Sequence, residues 1–299
     1  MMEGYLHPLY AESFAGFGTP LYLPNSKGWL VKRAIPGTPY FDAMGPYPLF
    51  FCEDWDALPE DLEALKDEIV SISLVIGPFS KFPTDRYQAF FDIFRAYKDH
   101  YILDLSMPLE ETISKSRRKD ARRALRYVDV DVRISPEIEL DEWTLLYDNL
   151  VKHHQIKGIR AFSRDCFREQ LKIPGMHLFR GYCHGDLIGG NLYILQDDAA
   201  YYHLSAFTDE GYQFDAAYAV KWYAIGNLAK KVRWMNLGGG TSSGGIFSGL
   251  DQFKQGWSNL TRKSYLCGKI LSRKTYNEIS LSKPLPESEW FPAYRIGEY

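Results

Sequence analysis

The pattern with the clearest chemical meaning lies near the end of the chain. A glycine-rich stretch, Gly238-Gly239-Gly240-Thr241-Ser242-Ser243-Gly244-Gly245, is followed shortly by Phe253 and Lys254. Glycines permit positive φ and let a ligand approach backbone amides closely. The stretch is no Walker loop, because no Gly-Lys-Ser/Thr follows, and it is not G-x-G-x-x-G. A cation delivered just beyond it can stabilise the negative charge that builds on a carbonyl oxygen during acyl transfer, on the order of a few kcal/mol. The same lysine could instead hold a donor phosphate.

Upstream, His203 and Ser205 fall at alternate positions of an expected strand and so share a face, with Tyr202, Leu204 and Ala206 on the other. Histidine titrates near neutrality, which suits a general base for an attacking amine. No aspartate at recognisable spacing completes a Ser-His-Asp triad, and a hydrogen-bonded core histidine is the competing reading. The pair His153-His154 lacks neighbouring carboxylate or cysteine spacing, and Cys52, Cys166, Cys183 and Cys267 are scattered. No metal centre is expected, and the thiols read as reduced and structural.

The densest cationic segment runs from Lys115 to Arg126. On a helical wheel Lys115, Arg118, Lys119, Arg122 and Arg126 form one stripe, while Arg117 turns to the apolar side near Asp120. That stripe is the candidate for an acceptor or phosphate-bearing ligand such as a polyphosphate, a sugar nucleotide or a tRNA backbone. Any such attraction is local, because 35 basic against 38 acidic residues give a net charge of −3.

These residues need elements to position them. Gly28–Ile35, Pro48–Cys52, Ile69–Ile76 and Tyr101–Leu105 read as strands, with helices at Asp54–Glu68, Asp85–Tyr97 and Ser106–Arg126. Asp129–Ile134 alternates as a strand, and a polar stretch at Pro136–Asp141 divides the chain into halves, 1–137 and 138–299. The second half opens with helices at Asp141–His153 and Arg164–Leu171. Strands His177–Cys183, Leu187–Leu195 and Ala199–Phe207 follow, joined by His184-Gly185-Asp186 and Asp197-Asp198. A buried helix, Ala216–Lys231, is capped by Asp215, and a last strand, Trp234–Leu237, leads into the glycines. The fold class is α/β with a mixed (α+β) sheet. No run is long and apolar enough to span a membrane, and no signal peptide is evident, so a cytoplasmic protein is expected.

Three antiparallel strands, one helix, a further strand, a glycine loop and Leu250-Asp251-Gln252-Phe253-Lys254 together resemble the FemAB-like branch of the acyltransferase superfamily that includes the GNAT enzymes. The resemblance spans roughly residues 100–260 and matches the family's Leu-x-x-Phe-Lys stretch. It implies two tandem GNAT-type domains and an N-acyltransferase or aminoacyltransferase. Lys254 would take part in transfer, with Asp215, Ala216, Ala217, Gly238, Gly239, Gly240 and Phe253 around the donor. The implied donor is acyl-CoA or aminoacyl-tRNA as a co-substrate, with no tightly bound cofactor. The implied acceptor is an amine on a cell-envelope precursor, peptidoglycan precursor, glycan or small molecule. Tyr212-Gln213-Phe214-Asp215-Ala216-Ala217 departs from the coenzyme A pattern Arg/Gln-x-x-Gly-x-Gly/Ala, which leaves the donor open. The alternative is a non-catalytic nucleic-acid- or ligand-binding protein on a degenerate GNAT fold.

Overall fold

Alternating apolar residues build the strands, and their long-range pairing assembles them into one sheet. The computed structural model describes residues 2–82, 84–240, 248–281 and 290–298. Its strands are β1 (Thr19–Leu23), β2 (Gly28–Ala34), β3 (Phe41–Met44), β4 (Ser71–Ile76), β5 (Ile93–Asp104) and β6 (Asp129–Ile134). They continue with β7 (Met176–Cys183), β8 (Asp186–Gln196), β9 (Ala199–Phe207), β10 (Trp234–Gly239) and β11 (Leu260–Ile270). The sheet order is β1-β2-β3-β4-β11-β5-β10-β9-β8-β7-β6. Only β3/β4 and β9/β10 pair in parallel among the named strands, so the sheet is mixed, as expected.

Strands β7 to β10 are covered on both faces, so β7 is buried along nearly its whole length. One face packs Phe179, Tyr193, Met235 and Leu237 against the helix Ala216–Leu228, the helix Lys115–Ala124 and Trp257. The other packs Leu178, Leu192 and Tyr201 with Trp143, Tyr147 and Phe167 from the helices Leu140–His154 and Arg164–Gln170. Burying a side chain of this size is worth roughly 1.5–3 kcal/mol. The β7–β8 turn places His184 at φ 52° and Gly185 at φ 92°, the left-handed pair that a tight hairpin requires.

Local expectations fail where a distant partner decides. The predicted helix Asp85–Tyr97 stops as Thr84–Phe90, and β5 begins at Ile93 because β11 pairs along it. Phe94 stacks on Tyr265 across that pairing at 5.1 Å. Pro48–Cys52 forms a single bridge, Phe50 to Ile76, in place of a strand. The predicted helix Ser106–Arg126 is broken at Ile113, which is extended (φ −102°, ψ 130°). Ser114, and not Ser106, caps the basic helix by accepting from the Arg117 amide.

The division at residues 137 and 138 does not follow the strand order. Strand β6 pairs with β7, and β11 returns from the C-terminal region to lie between β4 and β5. A strand joins the edge that satisfies its backbone groups, whatever its place in the sequence.

Candidate functional site

Strands β9 and β10 pair only at Ala199↔Trp234, Ala200↔Met235 and Tyr201↔Asn236. Beyond Tyr201 and Asn236 the two strands diverge around a cavity of about 350 Å³, lined by residues 201–205 on one side and 236–240 on the other. Diverging parallel strands leave backbone groups unclaimed by a ladder, and such groups can grip a substrate amide or carbonyl. The irregularities on both strands have local causes. The β8 register shifts between Leu192↔Leu204 and Tyr193↔Tyr202, so His203 is the extra residue of a bulge. Gly238 adopts φ 85°, and the β10 register against β5 shifts between Asn236 and Gly239.

The bulge corrects the expected alternation, because Tyr202, His203, Leu204 and Ser205 all line the cavity. The His203 ring lies among Tyr5, Tyr10 and Phe162, with centroids 5.8–6.0 Å away. Its nitrogens face the Tyr5 hydroxyl at 3.4 Å and the Gln170 amide oxygen at 3.2 Å. Burial pushes its pKa down to about 3. It is therefore neutral at physiological pH, and both of its ring nitrogens face hydrogen-bonding partners. The hydrogen-bonded histidine that the sequence offered as the competing reading describes this geometry.

Lys254 comes from the helix Gly249–Gln255, whose start is fixed by a capping box between Ser248 and Asp251. Its ammonium donates to the Gly239 carbonyl at 2.8 Å. Burial lowers its pKa to about 8, opposed by Asp251 and assisted by Lys98. Near neutral pH it is still mainly protonated, a charge held in a poorly solvated wall of the cavity. Behind it, the fully buried Lys221 donates to the Tyr193 hydroxyl at 2.9 Å and lies over the Tyr202 ring. Burial, then the charge of Lys254, lowers the Lys221 pKa well below its usual range.

Lys254, His203, Ser205, Gly238, Gly239 and Gly240 thus meet in one cavity. The remainder of the glycine stretch, Thr241 to Gly245, lies outside the described residues. Five expected donor or acceptor features do not join the cavity. Asp215 does not cap its helix, because it sits at φ 55° and its carboxylate instead accepts from Arg123 at 2.7 Å. Ala216 is a buried core residue, Ala217 packs against the same core, and Phe253 packs edge-on to Tyr218 at 5.4 Å. The space beside this helix mouth is filled by the basic helix, whose Arg117 donates to the Tyr218 hydroxyl and to the Gln252 carbonyl. Lys115, Lys119, Arg122 and Arg126 are exposed on the outer face, and none lines the cavity. Arg118 of the same stripe bends back to the Ile113 and Glu110 carbonyls.

Other lining residues carry no motif. Lys98 and His100 fall between the predicted Asp85–Tyr97 helix and the predicted Tyr101–Leu105 strand, and only the full length of β5 delivers them. Lys98 lies over Gly239, where an added Cβ would stand 3.0 Å from its Cδ. Its pKa is lowered, first by burial and then by Arg160. Two cations are thus brought together at the wall, and neither makes an ion pair among the described residues. An adjoining chamber of about 440 Å³ shares Tyr47, Tyr97, Lys98 and Arg160 with this cavity and is also lined by Trp290 and Phe291. A larger, open hollow of about 680 Å³ near His153, Thr208 and Glu210 holds none of the residues expected to do chemistry. Among the described residues no cluster of three or more His, Cys, Asp or Glu could hold a metal. No described helix is long and apolar enough to cross a membrane.

Residues 115–255 match the acetyltransferase (GNAT) domain family. The sequence matches no curated protein. In fold, the chain is similar to FemX, with a TM-score of 0.67 at 14% identity, over 91% of this chain and 93% of that one. It is similar to the C-terminal domain of a protein assigned as a lysylphosphatidylglycerol synthetase from Agrobacterium fabrum (TM-score 0.66, 15% identity, 90% and 88% covered). The Bacillus licheniformis L-PGS structure follows at TM-score 0.58 and 14% identity, with 91% and 95% covered. At these identities the likeness is one of fold.

Proposed function

We propose that the chain is an acyltransferase, which moves an activated acyl or aminoacyl group to an amine at the divergence of β9 and β10; the match of residues 115–255 to the GNAT domain family and the likeness in fold to FemX support this reading. The observation that carries this reading is the convergence of Lys254 with the 201–205 and 236–240 segments around one cavity. The acyl carbonyl lies against the diverging backbone, and the Lys254 ammonium stabilises the oxyanion or holds an adjoining phosphate. Acyl-CoA is the donor that the domain family implies, and aminoacyl-tRNA is the alternative donor within this proposal. The Asp215 carboxylate at the helix mouth disfavours a pyrophosphate there.

The acceptor enters through the adjoining chamber, whose aromatic walls and paired Lys98 and Arg160 suit a polar molecule bearing negative charge. FemX and the lysylphosphatidylglycerol synthetases make a cell-envelope acceptor, with a glycan or peptidoglycan precursor as its form, the reading we favour. A cytoplasmic location goes with that proposal, as does a tRNA contact on the exposed basic stripe. Two functional halves, 1–137 and 138–299, that exchange strands complete it.

The test is transfer from radiolabelled acetyl-CoA and from charged tRNAs to a panel of amine acceptors, with wild type beside Lys254→Ala. Transfer that falls about a hundredfold in the variant supports the site. Transfer that persists unchanged removes Lys254 from it, and no transfer from either donor class counts against the enzyme.

A further inference from the structure

We infer that His100, held by Asn236, is the base that takes the proton from the attacking amine; this rests on the acyl-transfer reading above. His100 lies on β5, opposite Gly239 of β10, and is 6% exposed, with that exposure in the cavity that also holds Lys254. Its Nδ1 is 3.0 Å from the Asn236 Oδ1. The same oxygen accepts from the Gly238 amide at 2.9 Å.

That second bond fixes two assignments. A backbone N–H can only donate, so the Asn236 atom it meets is the oxygen. The His100 Nδ1 facing that oxygen must then carry the hydrogen, which leaves Nε2 with its lone pair. Nε2 has no hydrogen-bond partner among the described residues. A Cβ on Gly239 would stand 3.3 Å from it, so glycine keeps its approach open. The geometry is that of an oriented base, with an amide in the place where triads use a carboxylate.

The charged groups facing His100 come from two elements: Lys254 from its helix, and Lys98 and Asp99 from β5 itself. Burial, with the two lysines, lowers the imidazole pKa to about 4 against the pull of the Asn236 bond and Asp99. The ring is therefore unprotonated across the physiological range. It is too weak a base for a free ammonium, and it acts on the tetrahedral adduct, whose nitrogen becomes strongly acidic as the C–N bond forms. The neutral amine attacks the acyl carbon, and the carbonyl π pair moves to oxygen beside Lys254. The nitrogen gives its proton to Nε2. The adduct collapses, the bond to the thiolate or ribose oxygen breaks, and the imidazolium returns the proton to that leaving group. Atoms, charge and the enzyme's protonation state all balance.

Three readouts test this on the full chain. In ¹⁵N-histidine-labelled protein at pH 6–8, His100 is expected as the Nδ1–H tautomer with an unprotonated Nε2; an Nε2–H tautomer or an imidazolium overturns the assignment without any substrate. With acetyl-CoA, or the charged tRNA that supports transfer, His100→Gln is expected to lower kcat about a hundredfold with KM for the donor within threefold. Asn236→Asp is expected to move the acidic limb of the kcat profile upward, because a carboxylate against Nδ1–H favours imidazolium. A His100→Gln enzyme that keeps half of the wild-type kcat, or an acidic limb unmoved by Asn236→Asp, overturns the proposal. Absence of transfer by the wild-type protein would overturn the acyltransferase reading, whereas the tautomer bears on His100 alone.

Discussion

Replacing Lys254 by methionine separates the cost of its charge from the use of it. Burial takes the ammonium from its usual 10.5 to about 8, and the residue is only 8% exposed. One pKa unit corresponds to about 1.4 kcal/mol, so the folded protein disfavours the charged form by about 3 kcal/mol. The folded pKa lies below the unfolded one, so between them the unfolded chain binds more protons and stability rises with pH. The penalty is fully present below the folded value of about 8. It falls from about 3 kcal/mol at pH 7 to about 2 kcal/mol at pH 9 and is nearly gone above the unfolded value. Methionine keeps the apolar stem but loses the bond to the Gly239 carbonyl, a loss of about 1 kcal/mol that does not depend on pH. Lys254→Met is therefore expected to be more stable than wild type by about 2 kcal/mol at pH 7, with the margin narrowing by about 1 kcal/mol at pH 9. Guanidinium titrations followed by far-ultraviolet circular dichroism at both pH values measure this. A margin that stays constant or widens would refute the reasoning, because it would mean that the buried ammonium is not what the folded state resists.

Two further outcomes follow from the same reading. Asp215→Asn removes an exposed pair with Arg123 and is expected to cost less than about 1 kcal/mol and to leave acyl transfer within twofold of wild type; a tenfold loss of transfer would return the helix mouth to the donor site. Arg295→Met strips a two-point partner from Asp42, which is fully buried and keeps Arg33 and Tyr294 beside it, and is expected to cost about 3 kcal/mol in a thermal melt; a cost under about 1 kcal/mol would show that the remaining partners suffice.

Much of the chain from Asp129 to Lys254 was legible in the sequence alone. Strands β6 to β9 fall where alternation and the His184-Gly185 turn placed them, because hairpins and period-2 burial are local signals. The lysine after the glycines was legible for a similar reason, since a strand end, a glycine run and a following cation lie close in sequence. The N-terminal half was less so. Strands β1 and β3 escaped notice, and β5 was split between a helix and a strand, because what makes them strands is pairing with residues far away. Strand β11 shows this most directly, since Leu260–Ile270 satisfies the edges of both β4 and β5.

The sequence by itself pointed to acyl transfer and determined the mixed sheet and six residues of the cavity. It did so through periodicity, turn chemistry and the order of motifs, which are written along the chain. Only the tertiary structure decided which of the chemically able residues share a space. It seated His203 among Tyr5, Tyr10 and Phe162 through a one-residue bulge, and it paired Asp215 with Arg123. It also brought His100, Lys98 and Arg160 to the cavity from positions without a motif. The physical reason is common to all of these. Burial, ion pairing and strand registry depend on neighbours in space, and those neighbours are set by which backbone edges find partners.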